Sequence, residues 1–314
     1  MRSVARCVED DWRVLSWEKS ISGRQPALCA AGFYFHRHVT GLPGGQLAFP
    51  DVHNRAIRVL DQDGTFVRVL HSGQMMGPRG PACDGQVLYV VESAGQSLHA
   101  IRLKDGSVNT WCVPSSEDDA ALTELVTPDT CAVDGSLLFV SNAGRDSVLV
   151  YEKTSFELVA TLGKAGGGPG TAHGEFNRPQ GLTATRSKLW VCDSGNCRIQ
   201  VFNGPTFDFE RCFGKHGNQP GCFNEPRGVA VCDSVNGDLL VVSETRRLQV
   251  LTLDGSPLQV LPQGPSPSLR TQASFPPGLW GICATRDRVY TVNVISNELL
   301  VLSLRRSNTD FAAG

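Results

Sequence analysis

"GEFNRPQGLTATRSKLWVCDSGNCRIQVF", residues 174–202, decides the fold of this chain. It opens on a turn, passes two short apolar runs, crosses the polar knot DSGNCR and ends in an alternating strand. In and just beyond it, the runs 181–186, 188–192, 198–203 and 209–213 are short and rich in Val, Ile, Leu and Phe. Gly, Pro, Asn and Asp bound them, which is the pattern of β-strands joined by tight turns. The outline recurs along the chain. FNRPQGLTAT at 176 is answered by FNEPRGVAVCD at 223, and LWVCDSGNCRIQVF at 189 by LLVVSETRRLQVL at 239. Weaker copies are QLAFPDVHNRAIRVL from 46, VLYVVESAGQSLHAI from 87, LLFVSNAGRDSVLVY from 137 and RVYTVNVISNELLVL from 288.

Aligning the residue after each second apolar run gives Asp51, Glu92, Asn142, Asp193, Glu244 and Asn293, with gaps of 41, 50, 51, 51 and 49 residues. Six units of four short strands predict an all-β chain, a six-bladed β-propeller. No window carries a sustained 3.6-residue apolar period. The only helical candidate, 116–126, has Ser116 as a cap and acids in its first turn, but it sits between units and reads as a loop or a single turn. The last unit lacks a fourth strand, and the segment DWRVLSW near the amino terminus lacks a unit. The expected solution is an N-terminal strand closing the last blade, which removes an unpaired edge. The chain then reads as one propeller domain over 1–314: a closing strand at 1–19, blades at 20–306 and a flexible tail at 307–314.

The chain has 314 residues, 41% hydrophobic and 19% charged, as expected of a soluble globular protein with room for a large core. Its formal net charge of −2 provides no global field toward nucleic acid or an anionic membrane. The 11 cysteines include no CxxC, and Glu9, Asp10 and Asp11 stand where a signal peptide needs an apolar run. These features predict a cytoplasmic, intracellular protein with reduced thiols and no membrane association. Cys83, Cys131, Cys232 and Cys283 recur in the first apolar run of their units, as small buried hydrophobes do.

The stretch GEFNRPQGL…LWVCDSGNCRIQVF…CFG resembles the NHL repeat, with its Pro-x-Gly lead-in, a strand ending in Asp, an Asn, and an Arg-Ile-x-Val-Phe strand. The fourth unit matches closely, the fifth well, and the others are degenerate. The resemblance implies a scaffold role for the repeated positions. Pro179 and Gly181, like Pro226 and Gly228, set the start of the innermost strand. Asp193 accepts backbone N–H groups at a tight turn, Asn196 tolerates left-handed backbone, and Arg198 bonds within or between blades. Among tripartite-motif proteins such a propeller follows zinc-binding domains and binds RNA or protein. This chain shows no such zinc-binding part, so ligase chemistry does not carry over.

Recognition is then expected on loops. In an antiparallel meander, the loops joining second to third strands share a face with those joining successive blades. Units three to five place Arg145, Arg178, Lys215, Arg227, Arg246 and Arg247 there, the residues expected to bind a partner. Lys164, His173 and His216 accompany them, with Asp146, Glu175, Glu225 and Glu244 opposing. Units one and two offer Asp51, Glu92, Glu117, Asp118 and Asp119. The expected partner of this monomer is a protein, with RNA as an alternative through the basic loop sector. Few aromatics interleave the arginines, so base stacking is poorly provided.

No catalytic residue, cofactor or metal site is read from the sequence. The alternative is a propeller hydrolase or lyase with a cryptic axial metal site. Metal lactonases and the peptide-amidating lyase place ligands at the axial ends of the inner strands. Likeness to the lyase implies His after the lead-in prolines, where this chain has Asp129, Gln180, Arg227 and Gly278. His36 and His38 share one side of a possible strand, without partners readable from the sequence. GKAGGGPG at 163 lacks a following Lys-Ser/Thr and is a blade connection rather than a phosphate loop.

Overall fold

The computed structural model describes residues 14–23, 34–72, 75–112, 124–232, 238–262 and 278–305. These form six four-stranded antiparallel units arranged as a ring, an all-β propeller. The fourth unit comprises Pro179–Thr185, Lys188–Asp193, Arg198–Asn203 and Phe209–Phe213, in chain order from the axis outward. Its inner strand starts two residues before the expected limit because Pro179 pairs with Asp193. The first unit has only Thr40–Gly41 as its inner strand. A single parallel bridge, Thr130 to Gly80, links the inner strands of the second and third units.

Burial on both faces of each sheet explains the near-continuous apolar runs. Within Lys188–Asp193, Leu189 and Val191 pack toward the third unit, whereas Trp190 and Cys192 pack toward the fifth. The period of two divides one strand between two cores. Six apolar clusters result, one between each neighbouring pair of units, and the last joins the sixth unit to the first through Tyr290, Val292, Phe49 and Leu47. Outer strands such as Leu158–Gly163 face water and are partly exposed.

The sixth unit takes its outer strand from the other end of the chain. Val14–Ser22 pairs antiparallel with Glu298–Arg305, extending past the expected limit at residue 19. Leu15 N–H donates to Gln259 Oε1 at 3.1 Å, tying this strand to the fifth unit as well.

Inner strands crowd together near the axis. A Cβ on Gly181 would lie 2.4 Å from the Arg227 carbonyl oxygen, and one on Gly228 would lie 2.8 Å from that of Trp280. Glycine is used at these two positions because backbone meets backbone there. In the helical candidate, 116–123 lie outside the described residues and 124–126 are not helical.

Candidate functional site

Strand pairing places the turns after Asp51, Glu92, Asn142, Asp193, Glu244 and Asn293 at the same end of the ring as the segments leading into the inner strands. At this end the repeated acids and amides are buried and act as hubs. Asp193 accepts from Arg198 Nε at 2.7 Å, Asn196 Nδ2 at 2.9 Å, Gln200 Nε2 at 3.1 Å and the Asn177 backbone at 2.8 Å. Arg198 donates three further hydrogen bonds, to the carbonyls of Thr171, Ala172 and Glu175. The lead-in loop is thereby fastened to the hairpin.

Glu244 repeats the arrangement with Arg247, Gln249 and the Asn224 backbone. Arg247, expected on the partner-binding surface, is the counterpart of Arg198, and its guanidinium also binds the carbonyls of Gly217, Asn218 and Cys222. Asp51 and Glu92, read from the sequence as an acidic rim, are buried instead. They are held by Arg58 at 2.6 Å and by His99 at 3.0 Å. Glu117, Asp118 and Asp119 lie outside the described residues.

Between the fourth and fifth units the same end opens into a cleft of about 650 Å³. Arg178, Cys197, His216, Glu225, Thr245 and Arg246 contribute to its walls. Arg178 and Arg246 are exposed, as is Lys215 beside His216. The Cys197 thiol lies 3.6 Å from His216 Nδ1. Arg145 is on the third unit, paired with Glu124, and does not line the cleft.

Arg227 does not line it either. It belongs to a second group at the centre of the ring, most of which sequence reasoning missed. Asp129, 2% exposed, is the second residue of the third unit's inner strand, Pro128–Asp134. Its carboxylate accepts from Arg37 Nη1 at 3.0 Å, Arg79 Nη1 at 3.4 Å and Trp280 Nε1 at 3.4 Å, and His38 Nε2 lies at 3.0 Å. The guanidinium carbons of Arg37 and Arg227 lie 4.2 and 3.9 Å from the centroid of the Trp280 ring, cation–π distances.

Burial pushes the Asp129 carboxyl up, but His38, Arg37 and Arg79 outweigh it and hold the group well below the ordinary carboxylate range. Burial, with Arg37 and Arg79 next, pulls His36 down to about 4. The readable signal was periodic. Pro78-Arg79-Gly80 and Pro226-Arg227-Gly228 share one lead-in signature, and its middle residue falls at the axis. Arg37 and His38 had no such signature. Below this mouth the inner strands enclose an axial channel of about 240 Å³, with His38 at its wall. Among the described residues, no three or more His, Cys, Asp or Glu side chains are gathered as metal ligands would be.

Comparison with known proteins matches residues 176–202 to the NHL repeat. The chain is 31% identical over 150 residues to NHL repeat-containing protein 3 of Mus musculus, an alignment spanning 46% of this chain and 39% of that protein. The matched region is thus well under half of the relative's length. Solved propellers share the fold at low identity. A virginiamycin B lyase from Staphylococcus aureus, crystallised in catalytically inactive form with quinupristin, superposes with a TM-score of 0.56 at 15% identity, over 85% of this chain and 80% of that one. A chain of a nidogen/laminin complex gives 0.59 at 16%, over 81% and 89%. A chain of a mitotic checkpoint complex gives 0.57 at 10%, over 96% and 98%.

Proposed function

We propose that this NHL-repeat propeller is a non-catalytic recognition scaffold that binds an acidic segment of a protein partner in the cleft between its fourth and fifth units. The observation that carries the reading is the pair of exposed arginines, Arg178 and Arg246, opening on one cleft with Lys215 close by. Guanidinium forks suit carboxylates because they donate two parallel hydrogen bonds. Glu225 in the same walls favours a segment with a defined charge pattern over a uniformly anionic one. Two structural neighbours come from protein assemblies, which supports a protein partner. Among the described residues no Phe, Tyr or Trp lines this cleft, which weighs against single-stranded RNA. Free cysteines such as Cys131, Cys192 and Cys197 agree with a reducing, cytoplasmic setting.

The test is affinity capture with the parent protein and with Arg178→Glu, Lys215→Glu, Arg246→Glu combined, with and without nuclease. The triple variant is expected to lose its specific partners while melting like the parent. Retention of every partner overturns the reading. Loss on nuclease treatment, with binding that falls steeply as salt rises, replaces the protein partner with RNA.

A further inference from the structure

We propose that the axial mouth is a binding site for one oxyanion group, a carboxylate or a phosphate, gripped by Arg37, Arg79 and Arg227. The site is separate from the rim cleft. Three guanidiniums from the first, second and fifth units converge on one buried carboxylate and one indole ring. Asp129 compensates Arg37 and Arg79 together. Arg227 has Glu225 at 3.2 Å, and half of the Glu225 side chain lies in water.

Each guanidinium carries five N–H donors. Among the described residues, each of these three donates a single hydrogen bond to protein. Among the described residues, Arg227 Nε is buried with no partner. Arg198 and Arg247 show the contrasting case, with their donors consumed by carbonyls and a carboxylate. The mutual influence of the axial arginines supports the geometry: burial first, and Arg37 among the further causes, lowers the proton affinity of both Arg79 and Arg227. An oxyanion in their midst relieves that repulsion and takes up their free donors. Asp129 holds Arg37 and Arg79 together when no ligand is bound, and Glu225 pairs with Arg227. Trp280 fixes two of the planar groups from the side. The group comes either from a free small anion or from the tip of a docked acidic side chain, since both present the same oxygen atoms.

The experiment uses the full chain with inorganic phosphate, citrate and a Glu-rich octapeptide, each against sodium chloride of equal ionic strength. Calorimetry and thermal unfolding are read together. At least one small anion is expected to bind stoichiometrically and to raise Tm in a saturable way beyond the chloride control. Arg37→Gln with Arg227→Gln should weaken it at least tenfold. Arg79→Gln alone, which leaves the Trp280 stack untouched, should do so too if the double variant does not fold. Arg178→Gln with Arg246→Gln should leave it unchanged, which separates this site from the cleft. Asp129→Asn should bind the anion more tightly than the parent. Competition by the octapeptide identifies a docked side chain as the source, and its failure identifies a free anion. A parent protein indifferent to every probe, or an Arg79→Gln variant that responds like the parent, overturns the site.

Discussion

Asp193 and Asp129 are both buried carboxylates at the same end of the ring, yet their surroundings differ in kind. Asp193 faces one cation, Arg198, and its other partners are neutral donors. Burial, partly offset by those donors, leaves its pKa raised. Asp129 faces Arg37, Arg79 and His38, and its pKa is depressed. One centre is closed, with charge and hydrogen bonds in balance. The other carries excess cation and unused donors. A closed centre holds loops in place, whereas an open one is ready for something not in the chain.

The comparison can be broken most forcefully at Asp193. Asp193→Ala leaves Arg198 without its buried partner and is expected to cost about 3–5 kcal/mol in urea unfolding, unresponsive to added anion. Asp129→Ala should cost about half as much, because Arg37 and Arg79 keep some access to water, with part of the loss recovered in phosphate. Equal losses without an anion response would erase the distinction.

A smaller effect is expected from pH. His36 stays neutral in the folded protein down to about 4, whereas the unfolded chain takes up its proton near 6.5. Stability should therefore fall as pH drops from about 6.5 to about 4, by about 2 kcal/mol after allowance for its partial exposure. Below that window this residue contributes no further change. The Asp129 contribution is present above the ordinary carboxylate range and lost only in stronger acid, so the two windows separate. His36→Gln should flatten the upper window in a pH series of unfolding free energies.

Much of this was legible in residue order. The fifty-residue recurrence, the period of two and the Pro-x-Gly lead-ins were enough for the ring and for the turn acceptor at Asp193, whereas Glu244, read as a rim acid, proved to be a second buried hub. Charge was harder to place. Asp51 and Glu92 look like surface acids in a string of letters, but each has a partner two strand positions beyond its turn, Arg58 and His99, that draws it inside. Arg246 and Arg247 are adjacent in sequence and opposite in role, because the hairpin register pairs Arg247 with Glu244 and turns Arg246 out. The axial group was least visible. Its members are separated by up to 243 positions, as Arg37 is from Trp280, and only closure of the ring brings them together.

That closure also sets an order of events. The strand Val14–Ser22 finds its mate in Glu298–Arg305, and Glu18 meets Arg288 across 270 positions of chain. During synthesis the first strand emerges long before its partner exists. Until then the ring is an open stack with two uncovered apolar faces, the Phe35, Leu47 and Phe49 side among them. Such an intermediate is sticky, and its final step brings together the most distant parts of the chain, the kind of contact that makes folding slow. A chain stalled or cut before residue 298 cannot form the latch. It should depend on chaperones to a degree that the finished protein does not.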